Sequence, residues 1–454
     1  MSSHVGSLPE TTVLRFDSSV RRFAGGTVVL GGSPLRLLRL GERGAESLQR
    51  LAAGKAVGAQ PVDQQLARRL LDVGIAHPEA PAGGFGPRDV TLVAPVKDDS
   101  AGVRRLLAAT AELAGRIVVD DGSAEHVPEA AARNEKPEGP AAARNTGWQL
   151  ARTDLVAFLD ADVVPEDSWL DALLPLFSDP AVAAVAPRVR CSPGSTAVAR
   201  YESDRSSLDF GARPGVVRPM SRVSYLPSAA LVVRRDALDE VGGFDARLRF
   251  GEDVDLVWRL IDGGKTVRYQ PESQVRHEPR PRLRGWLRQR FEYGTSAAPL
   301  SARHPGRLSC VRISRYSALA WSLLAAGRPR GALLFAAVTT ALFPRKLRGN
   351  GVPTAEALRL AGFGHIGAGR LLTDAVRRVW WPLVVLGAPF SKTVRRVALV
   401  ALLPCLFEAA GTPPNWLLLR ILDDVAYGAG VWRGCAKERT LRPLLPSWTD
   451  DGLR

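Results

Sequence analysis

Three apolar runs, each closed by carboxylates, dominate the pattern between residues 90 and 162. Val90–Val96 precedes Asp98 and Asp99, residues 117–119 precede Asp120-Asp121-Gly122-Ser123, and Leu155–Leu159 precedes Asp160-Ala161-Asp162. Short runs with no polar alternation predict strands buried on both faces, as in a parallel sheet. The acidic turns then fall at the carboxyl ends of these strands, along the edge where open α/β sheets bind ligands. Between the second and third runs, residues 139–147 (GPAAARNTG) supply small side chains that let a helix approach closely. Further on, Val254, Val257, Trp258 and Ile261 recur at i, i+3, i+4 and i+7, predicting a helix with Glu252 and Asp253 at its amino end. A last strand is expected at 266–269.

The flanking patterns differ. Residues 14–16, 20–23 and 27–30 read as short strands around a Gly25-Gly26 turn. An extended segment at 34–40 follows, then helices near 45–53 and 63–73, the second with an apolar stripe of Leu66, Leu70 and Val73. An Ala/Gly/Pro stretch at 79–87 reads as a linker. Beyond residue 302, apolar runs recur at 318–326, 332–343, 379–390, 397–407 and 416–419. All are shorter than the roughly 18 to 20 residues of a spanning helix. Arg328 and Arg330 divide the first two, Arg395 and Arg396 separate the next pair, and Pro329, Pro344, Pro382, Pro389 and Pro404 are expected to shorten the helices. The expected division is 1–78, a linker at 79–87, a catalytic domain at 88–302 and a helical region at 303–454.

A chain of 454 residues, 46% of them hydrophobic, accommodates two or three domains with sizeable cores. Charge separates them: residues 278–454 carry 27 Lys+Arg against 10 Asp+Glu (+17), and residues 1–277 carry 34 against 36 (−2). With Trp380, Trp381, Trp416 and Trp432, the basic apolar third fits helices lying in the cytoplasmic face of an anionic membrane. A soluble helical domain with a basic outer surface is the other reading. Nucleic acid is not an expected partner, because no nucleic-acid module is recognisable. The first residues lack the apolar core of a secretory signal, and Cys191, Cys310, Cys405 and Cys435 have no metal spacing. The expectation is a cytoplasmic protein with reduced thiols at the inner face of the cell membrane.

Asp160 and Asp162, one residue apart at a strand end, suit a hard cation such as Mg²⁺ or Mn²⁺, which shares one or two protein carboxylates with substrate phosphates. A turn cap is the plainer use of such a pair, as it is for Glu252 and Asp253 at a helix start. Arg144 and Asn145 offer forked and amide donors that suit a nucleotide.

In order, these elements resemble the family 2 glycosyltransferases of the GT-A fold, a Rossmann-like nucleotide-sugar domain, over residues 88–302. The match rests on a first strand with Pro95, VDDGS at 119–123, ARNTG at 143–147, DAD at 160–162 and GGFD…ED at 242–253. The resemblance implies that Asp121, with Asp98 or Asp99, reads the donor base, and that Ser123, Arg144, Asn145 and Asp160 line the donor site. It further implies that Asp162, with Asp160 and His277, holds the metal. Asp253 becomes the general base of an inverting transfer, with Glu252, Phe244 and Asp245 on the acceptor side. A surface position for His277 is the alternative. No clear QxxRW follows; Gly285-Trp286-Leu287-Arg288 is only vaguely similar, which argues against processive polymer synthesis.

The N-terminal pattern resembles the small winged-helix domains, related to the pyrroloquinoline-quinone chaperone, that bind a precursor peptide at a sheet edge. As a whole the chain resembles the glycosyltransferases of the mycofactocin pathway, which decorate a peptide-derived redox cofactor with β-1,4-linked glucose. That implies UDP-glucose as donor, a divalent metal and a peptide-derived acceptor. A cell-envelope polysaccharide or glycolipid transferase shares the same catalytic residues. A noncatalytic nucleotide-sugar scaffold is disfavoured by the intact Asp162 and Asp253. A nucleotidyltransferase would need a glycine-rich basic loop where this chain has Val96-Lys97-Asp98-Asp99.

Overall fold

A computed structural model describes residues 6–79, 84–280, 282–413 and 415–449. Two compact units divide the chain, Met1–Arg21 with Val29–Pro279 and Arg22–Val28 with Arg280–Arg454.

Along the chain come first the strands β1 (Val13–Phe16), β2 (Arg21–Phe23), β3 (Val28–Gly31) and β4 (Arg36–Arg39). Helices α1 (Glu42–Ala52) and α2 (Pro61–Asp72) and strand β5 (Ala76–Glu79) follow. Leu48, Leu51, Leu66, Leu70 and Leu71 from the two helices close over Leu14, Val29 and Leu38 in a core of their own. β5 pairs antiparallel with β1, Phe16 opposite Ala76 and Val13 opposite Glu79. The sequence pattern missed this strand, because Ala-His-Pro-Glu has no alternation and its pairing partner lies some sixty residues away. Glu79, expected to open the linker, belongs to β5; residues 80–83 of that linker lie outside the described residues.

The rest of the first unit is mixed α/β around a nine-stranded sheet. Its strands are β6 (Val90–Val96), β7 (Gly115–Asp121), β8 (Ala132–Asn134), β9 (Leu155–Leu159), β10 (Val163–Pro165), β11 (Val182–Cys191), β12 (Gly215–Val216), β13 (Ala230–Arg234) and β14 (Thr266–His277). The order is β10-β14-β11-β13-β9-β6-β7-β8, with β12 added to β14. β6 lies between β7 and β9, parallel to both. All five residues of β9 are buried, as an uninterrupted apolar strand requires. The three acidic turns after β6, β7 and β9 therefore share one edge.

Helices α3 (Ser100–Ala109), α4 (Pro140–Leu150), α5 (Ala197–Arg205), α6 (Arg235–Val241) and α7 (Glu252–Asp262) accompany the sheet. α4 approaches it through Gly147, where an added Cβ would lie 2.3 Å from Val93 Cγ1 and 3.3 Å from Val119 Cγ2. β14 runs eight residues beyond its expected end at Tyr269. Gln270-Pro271-Glu272-Ser273 interrupts the apolar pattern there, and the register against β11 jumps from Gln270 to Gln274 before pairing resumes to His277.

The second unit holds α8 (Leu283–Thr295), α9 (Ala297–Arg303), α10 (Arg315–Ala325), α11 (Pro329–Leu347), α12 (Thr354–Arg378), α13 (Trp381–Gly387), α14 (Lys392–Ala409) and α15 (Asn415–Lys437). Short strands β15 (Arg312–Ile313) and β16 (Ser447–Trp448) pair in parallel. Its interior carries charge: Arg420 and Arg377 reach Asp424 at 2.6 and 3.2 Å, and Arg290, buried against Trp286, meets Asp423. Pro344 and Pro404 lie inside α11 and α14 near their carboxyl ends, and Pro329 and Pro382 occupy first turns, so these four prolines shorten the helices less than expected. Among the described residues no helix is long and apolar enough to cross a membrane.

Gly147→Ala should destabilise the first unit by about 1–3 kcal/mol, because Val93 and Val119 are buried strand residues with no room to yield. Chemical denaturation of the two proteins side by side checks this; an unchanged midpoint would show that α4 can lift from the sheet without penalty.

Candidate active site

The acidic edge is assembled by backbone stitching. β9 and β13 pair antiparallel, Leu159 opposite Ala230. The residues just past their ends then meet: Asp160 N donates to Ala229 O at 3.1 Å. The neighbouring Ser228 N donates to Asp253 Oδ2 at 3.3 Å. Two adjacent residues of one loop thus fasten the Asp-Ala-Asp turn and the head of α7 to each other. The sequence held no signal for this, since Pro227-Ser228-Ala229 carries no reactive side chain.

A similar register places the imidazole. β10 pairs antiparallel with β14 so that Val163 lies opposite His277, and Glu278 N donates to Asp162 O at 3.0 Å. His277 Nε2 stands 3.4 Å from Asp162 Oδ2. Burial alone would lower the His277 pKa, but the hydrogen bond and charge of Asp162, with Asp160 beyond, hold it above the ordinary value.

Arg144 joins the two carboxylate groups. Presented by α4 and 3% exposed, it donates Nη2 to Asp160 Oδ1 at 2.6 Å and Nη1 to Glu252 Oε1 at 2.9 Å. Its guanidinium lies 5.5 Å from the centre of the Phe244 ring, which packs edge-on against Phe158. Phe244 is therefore buried support beneath Arg144, and its ring has no open face for an acceptor. Asn145 clamps the same loop: its side chain accepts from Phe244 N at 2.9 Å and donates to Phe244 O at 2.7 Å. That use of both ends of the amide makes Asn145 a positioning residue and leaves little of it for a nucleotide. Asp255, wholly buried and paired with Arg259, completes the clamp, because Arg259 also donates to Val241 O and Gly243 O.

On the other side of the edge, Asp121 accepts from Asn134 Nδ2, Glu138 N and Gly139 N within 2.9 Å and so fixes the entry to α4. Asp120 pairs with Arg133 and accepts from Ser123 N. Ser123 Oγ accepts from Asp98 N, and Asp98 Oδ1 accepts from Ala124 N, lacing the β6 and β7 turns together. Asp98 has φ 58°, a left-handed conformation that marks a tightly constrained turn. Asp99 caps α3 through Gly102 N. Asp245 is held locally by Arg247. Trp286, in the stretch compared with QxxRW, is fully buried in α8.

The head of α7 concentrates negative charge. Burial drives the Glu252 carboxyl up to about 7, assisted by Asp253 and opposed by Arg144. Asp253 is likewise raised by burial, although it accepts from Val254 N and Ser228 N, and so is Asp160, although it faces Arg144. Four carboxylates, Asp160, Asp162, Glu252 and Asp253, face one guanidinium and one imidazole, so the edge suits a cation. Among the described residues no three His, Cys, Asp or Glu groups form a ready-made cage. A pair such as Asp162 and His277 fits a divalent ion that completes its shell with phosphate and water.

Carboxylates gathered at the carboxyl edge of a partly parallel sheet, two of them at the head of α7, make this edge the candidate catalytic centre. Residues 80–293 match the family described as "Glycosyltransferase like family 2". The pre-mycofactocin glycosyltransferase of Mycobacterium tuberculosis is 42% identical over 97% of this chain and 98% of its own length. The succinoglycan biosynthesis protein ExoM of Rhizobium meliloti is 31% identical over 52% of this chain and 77% of its own. A solved mannosyltransferase from Pyrobaculum calidifontis, in complex with GDP-Man and Mn²⁺, is 14% identical with a TM-score of 0.43, covering 79% of this chain and 91% of that one. The chain belongs to the family 2 glycosyltransferases.

Arg144→Lys should cost about 1.5–3 kcal/mol of stability and at least tenfold in turnover, because a compact ammonium lacks the rigid fork whose two Nη atoms reach Asp160 and Glu252 separately. Thermal melts paired with initial rates check this, and a fully active lysine variant would remove Arg144 from its joining role.

Proposed function

We propose that the chain is an inverting hexosyltransferase of mycofactocin biosynthesis, moving glucose from UDP-glucose in β-1,4 linkage onto a ribosomal-peptide-derived redox cofactor. The observation that carries this reading is the 42% identity to the pre-mycofactocin glycosyltransferase along nearly the full length of both chains.

In this reading Asp253 is the general base. Its carboxylate, raised by burial toward the range where it can hold a proton, accepts the acceptor hydroxyl's proton as that oxygen bonds to the sugar's C1 and the nucleoside diphosphate leaves from the opposite face. Attack from the face opposite the leaving group inverts the anomeric centre. Ser228 N and Val254 N orient the base; Arg144 and Glu252 hold the head of α7 against the donor edge. Asp98, Asp99, Asp121 and Ser123 form the wall for the nucleotide, with Asp160 beside the ribose. Glu252 and Asp245 lie toward the acceptor. Asp162 and His277, with Asp160 nearby, would hold Mg²⁺ or Mn²⁺, which when bound neutralises charge on the departing diphosphate.

The organisation proposed around this domain is a peptide-recognition module that ends with β5 at Glu79, a linker from there to residue 87, the transferase at 88–302 and a basic helical region at 303–454. The separate core of α1 and α2 supports the first, and the peptide-derived acceptor would dock there. The basic region is read as meeting the inner face of the cell membrane. A second reading, transfer to a cell-envelope glycan or glycolipid, draws on the exposed apolar helices of that region and on the likeness to ExoM.

Radiolabelled UDP-glucose with Mg²⁺ or Mn²⁺, offered in parallel to a peptide-derived cofactor extract and a membrane lipid extract, separates the two. Label in the cofactor fraction is expected; label only in lipid would favour the envelope reading. Asp253→Asn should lower turnover by about 10²- to 10⁴-fold while donor binding persists, since it removes the base and little volume. Near-normal turnover in that variant would place the base elsewhere. Chelation should abolish transfer and restoring either metal should return it; undiminished activity in excess EDTA would remove the metal role of Asp162.

A further inference from the structure

Helices α10 to α14 of the second unit invert the usual amphipathic rule. Of the large apolar side chains that are exposed among the described residues, four precede residue 300 and twenty fall between Tyr316 and Phe407. They follow helical spacing. On α11 the exposed positions Leu333, Leu334, Ala337, Val338, Ala341 and Leu342 form an unbroken apolar stripe at i, i+3, i+4 and i+7. On α14 the stripe Leu399, Val400, Leu403, Leu406 and Phe407 continues an exposed basic turn of Lys392, Arg395 and Arg396. α13, which packs on α14, adds Leu386 and ends before Phe390, whose ring is 90% exposed. Ordinary surface helices show charged residues on that face.

Basic groups bracket these stripes. Exposed Arg328 and Arg330 precede the α11 stripe, and Arg345, Lys346 and Arg348 follow it. From Arg315 to Ala409 there are thirteen Lys+Arg and three Asp+Glu.

We propose that the apolar stripes of α11 and α14, with Phe390, insert side-on into an anionic lipid surface, the bracketing arginines and lysines lying at the headgroup level. This rests on the reading that the basic region meets a membrane, and it names the surface and its chemistry. Long cationic side chains keep their charge in the headgroups while their stems cover the apolar stripe. Charge decides the occupant: a second copy would bring one excess of cations against another, whereas anionic lipid complements it. The α11 stripe from Leu333 to Leu342 covers roughly 14 Å of helix at 1.5 Å per residue, too short to span and suited to lying in the interface plane.

The test is cosedimentation of the full chain with vesicles of phosphatidylcholine alone or mixed with phosphatidylglycerol. Compared with the wild type are Leu334→Glu/Val338→Glu on α11, Leu403→Glu/Phe407→Glu on α14, and Arg395→Glu/Arg396→Glu. All these positions face solvent, so unchanged melting and unchanged transfer to a soluble acceptor verify the fold independently of lipid and keep the catalytic reading separate. Strong binding to the mixed vesicles is expected, weak binding to phosphatidylcholine, and at least a tenfold weaker partition for each double variant. The Arg395/Arg396 variant should lose most of its salt sensitivity. Wild-type binding by both apolar variants, equal binding to the two vesicle types, no vesicle binding at all, or a stable dimer in which the stripes are shielded would each overturn the proposal.

Discussion

One buried guanidinium holds the catalytic edge together. Arg144 stands between the Asp-Ala-Asp turn and the head of α7, and each arm of its fork takes a carboxylate from a different part of the chain. Burying a charge is expensive unless partners replace its water, and here two short charge-assisted bonds to the Nη atoms and an aromatic face do most of that, while Nε is left without a partner among the described residues. Without it, Asp160, Glu252 and Asp253 would repel one another across a partly desolvated edge. The rest of the site reads as support for this arrangement. Gly147 lets α4 sit close enough to the sheet for Arg144 to reach. Asn145, one residue on, pins the loop that carries Phe244 beneath the guanidinium. Arg259 and Asp255 pin that loop from α7.

The parts of this arrangement visible in the sequence were those with local periodicity. Apolar runs ending in carboxylates marked β6, β7 and β9 and their common edge, and the 3.6-residue spacing marked α7 with Glu252 and Asp253 at its start. What lay hidden depended on pairing between distant segments. The Ser228-Ala229 stitch exists only because β13 runs antiparallel to β9, and β5 exists only because β1 offers it an edge. The final reach of β14 to His277 crosses a bulge around Pro271 that no alternation rule anticipates. Side-chain roles were hidden for a different reason. Asn145 and Phe244 carry chemistry that suits a ligand, but the fold spends one on backbone clamping and the other on carrying a guanidinium.

The basic third illustrates a further limit. Apolar runs broken by arginines are compatible with a buried helical core or with an interfacial surface, and periodicity cannot separate the two because either needs one apolar face. Exposure is the observation that supports the proposed interfacial surface. In α11 and α14 the residues that pack inward include small or polar ones, Ala332, Thr339, Ala401 and Cys405, while Leu334, Leu403 and Phe407 face outward. The bulky apolar side chains sit where a protein in water places its charges.

The charge balance of the active edge links its geometry to its chemistry. Four carboxylates around one guanidinium and one imidazole leave the edge acidic and partly desolvated, which is why burial outweighs hydrogen bonding in raising Asp160, Glu252 and Asp253 together. A donor diphosphate would add further negative charge, which a cation between them would offset. In the proposed reading Asp162 and His277, brought together by the pairing of β10 with β14, would hold that cation. In the same reading Asp253 would serve as base without a metal on it, since a carboxylate engaged by a metal would surrender the basicity that burial gives it. On that proposal the metal-binding and proton-accepting carboxylates divide at Asp160, which Arg144 ties to Glu252.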